Sequence, residues 1–118
     1  MASVEIVFED QKPIIDQLLN DIFENETISA GMTKAVPGVG DVKLNQWPLA
    51  KAFGAPTFIS IIIMIGAGVS SRLIAEWILK KPKSKTTTKI KIGQTELKLD
   101  SNGSLHLIEK TIEIEKSE

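Results

Sequence analysis

The chain of 118 residues contains no cysteine and a single histidine, His106. Without cysteine there are no disulfide staples, no thiolate zinc ligands and no cysteine nucleophile, a composition that fits a reducing cytoplasm. One histidine does not build the usual zinc site, which gathers several nitrogen or sulfur ligands. Net charge is equally scarce. Basic side chains number 14 against 15 acidic, which leaves -1 and no global pull toward nucleic acid or acidic substrates. The opening residues MASVEIVFED lack the basic start and long apolar run of a signal peptide. No nucleophile–base pair, metal set or cofactor motif can be assembled, so the expectation is a non-enzymatic chain with no cofactor.

What is present is a block pattern of charge. Met1 to Asp41 carries eight acids against two lysines, and Val42 to Lys91 carries nine basic residues against Glu76 alone. From Ile92 onward six acids face three lysines. The order acid, base, acid suits a fold whose ends embrace its middle, and equally a basic centre turned to an outside anionic surface.

By length the chain is one domain, residues 1–118. Val4, Ile6 and Phe8 alternate in the strand sense, and Ile14, Ile15, Leu18, Leu19, Ile22 and Phe23 recur at helical spacing after Pro13. Residues 1–25 therefore read as a strand and an amphipathic helix. Residues 26–55 read as a Gly/Pro loop with room for a short strand around Val39 to Leu44 and with Trp47 as an anchor. Gly31, Gly38 and Gly40 invite a phosphate-loop reading, but no Gly-Lys-Ser/Thr ending follows.

Residues 56–81 are expected to form a hydrophobic helix, opened by Pro56 and closed at Lys80-Lys81-Pro82. On it Phe58, Ile61, Ile62, Ile65, Val69, Leu73 and Trp77 supply a membrane-facing or oligomer-forming surface. Gly66, Ala67 and Ser70 make a narrow stretch for close helix packing. Arg72 and Glu76, four apart, are expected to pair. From Pro56 to Ser71 such a helix measures about 24 Å, short of a bilayer core of about 30 Å; continuing to Leu79 gives about 36 Å but includes Arg72 and Glu76. Three states stay open to it: buried in a partner-dependent domain, constitutively spanning, or masked until a trigger exposes it.

Residues 82–87 read as a basic linker in which Lys83, Ser84, Lys85 and Thr86 form a candidate cleavage site. A solvated linker and an anionic-lipid contact are the competing readings. Aromatic interleaving is absent, which argues against nucleic acid. Residues 88–116 read as an antiparallel hairpin or meander; Leu105 to Glu115 could form a helix, but its threonine and isoleucine content favours strand, with His106 on a polar face. The fold class is thus α+β: N-terminal strand and amphipathic helix, central hydrophobic helix, C-terminal antiparallel hairpin. The N-terminal acids Glu9, Asp10, Asp16, Asp21, Glu24 and Glu26 are spaced as a solvated surface and not as a calcium loop.

The order of these parts resembles the effector-associated constant component family of small bacterial proteins. The resemblance rests on Leu73-Ile74-Ala75-Glu76-Trp77-Ile78-Leu79-Lys80-Lys81, followed by Lys89-Ile90-Lys91-Ile92-Gly93 and Glu96-Leu97-Lys98-Leu99-Asp100. It covers about Val4 to Asp100; the tail TIEIEKSE and the surroundings of Trp47 depart from it. The resemblance implies an accessory component of a bacterial defence system, standing beside a trypsin-like or caspase-like peptidase effector. Two mechanisms are expected of such a chain. In one, cutting of the basic linker frees the hydrophobic helix to homo-oligomerise or enter the inner membrane. In the other, a soluble adaptor docks the effector and touches no membrane.

Overall fold

In the computed structural model, which describes residues 2–24, 28, 29, 31–50, 56–81, 88–98 and 104–116, the chain is α+β. The order of elements is β1 (Ser3–Asp10), α1 (Lys12–Phe23), β2 (Thr33–Val36), β3 (Gly40–Ala50), β4 (Thr57–Ile65), α2 (Ser71–Lys80), β5 (Lys89–Ile92), β6 (Thr95–Lys98) and α3 (Ser104–Lys116). The strands form one antiparallel sheet in the order β2-β3-β4-β1-β5-β6. The first strand in sequence thus lies at the centre, between β4 and β5.

The alternation in β1 buries Val4, Ile6 and Phe8 on one face and leaves Ser3 and Glu5 exposed on the other. α1 begins with a proline in its first turn and ends at Glu24, whose N–H donates to Asn20 O and whose left-handed φ of 51° turns the chain out of the helix. Its buried stripe is Ile15, Leu18, Leu19, Ile22 and Phe23, each worth about 2 kcal/mol of apolar burial. Residues from every helix and from β1, β3, β4 and β5 meet in one core.

Residues 56–81 do not form the single helix expected of them. Thr57–Ile65 is a strand, residues 66–70 turn, and only Ser71–Lys80 is helical. The reason lies in the side chains. TFISIIIMI is dense in β-branched residues, whose stiff χ1 fits a pleated surface better than a helix. Such a run is apolar all round because it is a central strand, packed on one face and half-covered on the other. Gly66 and Gly68 then break the extended chain, and Ser70 Oγ accepts the Leu73 N–H at 3.2 Å to start α2.

The β5–β6 hairpin forms as expected, with Ile92 opposite Thr95 across the Gly93-Gln94 turn. The following segment corrects the sequence reading: residues 104–116 are helix, not strand. Its alternating TIEIE is outweighed by burial at Ser104, Ile108, Thr111 and Ile112, a helical spacing. Thr111 is accommodated by donating its hydroxyl to Leu107 O at 2.7 Å. The Gly/Pro loop expected over residues 26–55 instead carries two strands, β2 and β3, joined by a tight turn, and the short strand expected around Val39 to Leu44 is longer, forming β3 from Gly40 to Ala50. Trp47 falls within its backbone, and the anchoring role expected of its side chain lies outside the described residues.

Candidate interaction surface

The sheet has two unlike faces. On the inner face Val4, Ile6, Phe8, Val42, Leu44, Ile59, Ile61, Ile63, Ile90 and Ile92 are buried against the helices. On the outer face, Phe58, Ile62 and Met64 of β4 and Val7 of β1 are half-buried, while Glu5, Asp41, Lys43, Asn45, Lys89 and Glu96 are exposed. The outer face therefore carries Phe58, Ile62 and Met64 along β4, interrupted by Ser60, with charged side chains at its margins.

Register sets which side chains meet there. Ile62 stands opposite Lys43 on β3 and opposite Glu5 on β1, so Lys43–Ile62–Glu5 is one row across three strands. Ser60, on the next row, donates its hydroxyl to Glu5 Oε2 at 2.6 Å. Asn45 Nδ2 donates to the same oxygen at 3.2 Å and lies 3.3 Å from Ser60 Oγ. Glu5 is thereby held on the outer face as an ordered acceptor. Among the described residues Lys43 makes no ion pair.

The residues expected to form one helical surface are separated. Ile61 and Ile65 point into the core, whereas Phe58 and Ile62 lie on the outer face. Val69 sits in the turn before α2, partly buried against the core. Gly66, Ala67 and Ser70 are not a helix-packing stretch: Gly66 donates to Val39 O at 3.0 Å and accepts from the Val69 N–H at 3.1 Å. They are small because the chain must turn there, closing β4 onto the β2–β3 hairpin. Leu73 and Trp77 do share a helix, α2, where Leu73 is 47% exposed and Lys81 Nζ lies 5.4 Å from the Trp77 ring centre. Lys83, Ser84, Lys85 and Thr86 lie outside the described residues.

The expected Arg72–Glu76 pair forms at 3.2 Å, and Arg72 also reaches Glu109 of α3 at 3.6 Å. That second contact ties the basic middle of the chain to its acidic end. His106 is on the exposed side of α3, with Nδ1 at 4.0 Å from Glu109 Oε1. It is a surface residue of a helix, not of a strand.

Sequence reasoning missed the outer-face set of Glu5, Lys43, Asn45 and Ser60. The alternation of Val4, Ile6 and Phe8 already put Glu5 opposite the core, but only strand register brings it beside Ser60. The described residues include no cluster of three or more His, Asp or Glu side chains able to hold a metal ion. A cavity of about 120 Å³ lined by Glu9, Asp10, Gln11, Pro56 and Lys89 falls below the roughly 300 Å³ at which small-molecule pockets begin. Among the described residues no helix is long and apolar enough to cross a membrane. No protein-family model, curated protein or solved structure matches the chain.

Proposed function

We propose that this chain is a non-enzymatic adaptor of a bacterial defence system, acting in the cytoplasm by contact with a peptidase-type effector. The reading rests on the resemblance carried by Leu73 to Lys81 and on one observation about those residues. They fold as a surface helix on which Leu73 is 47% exposed and Trp77, one helical turn on, is partly buried against the core with Lys81 over its ring. An exposed leucine beside a partly buried tryptophan edge is the kind of anchor that carries protein–protein binding energy. Membrane entry by this chain, the other mechanism considered, has a structural obstacle. The apolar residues of Thr57–Ile65 are paired on both sides in the sheet, so exposing them to lipid would require dismantling its centre.

The test uses this chain and a purified trypsin-like or caspase-like peptidase from the same organism. The two are expected to co-elute on size exclusion, and Leu73→Asp should weaken the complex tenfold or more while leaving the circular dichroism spectrum unchanged. A peptidase that elutes separately from the unmodified chain would overturn the reading.

A further inference from the structure

We infer that the outer face of the sheet is a self-association surface on which a second copy of this chain docks about a two-fold axis running along β4. This rests on the outer face alone and is independent of the effector reading. The distribution of side chains has the form of an interface: half-buried Val7, Phe58, Ile62 and Met64 at the centre, interrupted only by Ser60 beneath Glu5 and Asn45, with exposed Glu5, Asp41, Lys43 and Lys89 around them. Both strands that carry this apolar centre lie inside the sheet, so a face-to-face arrangement is what remains open to them.

The occupant is specified by charge. An axis along β4 keeps each row of the register at its own height and exchanges the two sides of the row. Ile62 then meets Ile62 of the second copy, and Lys43 on β3 meets Glu5 on the second copy's β1. Symmetry makes that contact twice. In the adjacent row, where Met64 stands between Asp41 and Ser3, the same operation sets Asp41 against Ser3, so like charges do not meet. Glu5 is already ordered on this face by Ser60 at 2.6 Å and Asn45 at 3.2 Å, both on Oε2, and among the described residues Lys43 has no ion-pair partner to give up. A pre-ordered acceptor facing an uncommitted cation loses little freedom on docking.

Sedimentation equilibrium of the full chain tests this with two charge reversals. The unmodified chain is expected to show a monomer–dimer equilibrium. Lys43→Glu alone puts Glu against Glu, and Glu5→Lys alone puts Lys against Lys, so each should raise the dissociation constant roughly tenfold or more. Mixed in equal amounts, the two variants pair opposite charges at both contacts, and the dimer should return as a heterodimer. Leu73→Asp, on the opposite layer, should leave self-association unchanged. Lys43 is an exposed strand residue whose reversal preserves the core, so that variant carries the test even if Glu5→Lys folds poorly. An unmodified chain that stays monomeric, a Lys43→Glu variant that dimerises normally, well-folded variants that fail to associate when mixed, or loss of the dimer in Leu73→Asp would each overturn the proposal.

Discussion

Replacing Ile61 with alanine is expected to cost about 3 kcal/mol of stability, whereas the same change at its neighbour Ile62 should cost about 1 kcal/mol. The difference comes from the pleat of β4. Ile61 is fully buried, opposite Ile6 on one side and Leu44 on the other, and its truncation leaves a cavity that this crowded layer fills poorly. Ile62 is half-buried on the outer face between Lys43 and Glu5, where water and longer side chains can replace what is lost. Against a typical domain stability of roughly 5–15 kcal/mol the first change is severe and the second mild. Urea titration at concentrations where the chain is monomeric would measure both. Extending the series, Ile59 and Ile63 should behave like Ile61, and Met64 like Ile62. Equal costs along the run would contradict the strand.

Gly40→Ala should be at least as damaging, by roughly 3 kcal/mol or more. Gly40 has φ of 138°, and a methyl group on it would enter the space of Met64 O and stand 2.7 Å from Gly66 N. Both neighbours are backbone, fixed by the pairing of β3 with β4, so neither can yield cheaply. Gly38, in the same β2–β3 turn, has φ of 79° but nothing within 4 Å of such a methyl group. Gly38→Ala should therefore cost only the left-handed backbone penalty, about 1 kcal/mol. Thermal unfolding of the two variants side by side separates close approach from backbone conformation. A Gly40→Ala variant as stable as Gly38→Ala would mean that β3 and β4 are not in this register.

These contrasts also show how far the residues alone could lead. β1, α1 and the β5–β6 hairpin were legible because each buries one side only, and a one-sided element leaves its period in the sequence. The end of α2 was legible for the same reason, including its Arg72–Glu76 pair. β4 was not. A central strand with apolar residues on both faces has no period, and its proximity to the real helix made one long helix the natural extrapolation. The tail misled in the opposite sense: TIEIE alternates like a strand, but Ile108 and Ile112 decide the matter through burial that only tertiary packing supplies. Of the candidate surfaces, the Leu73–Trp77 stripe could be read from spacing on one helix. The Lys43–Ile62–Glu5 row could not, since it joins three strands whose register depends on the turn at Gly40 and on β1 entering the middle of the sheet.

The apolar segment from Thr57 to Ile65 is the point on which the account stands, and nuclear Overhauser contacts test it most directly. Long-range contacts are expected between the backbone protons of β4 and β1 running antiparallel, from Ser3 with Met64 to Asp10 with Thr57. Matching contacts are expected from β4 to β3, including Val42 with Ile63. A ladder of contacts between residues three apart through Thr57–Ile65, with none to Ser3–Asp10, would mark a helix and contradict it.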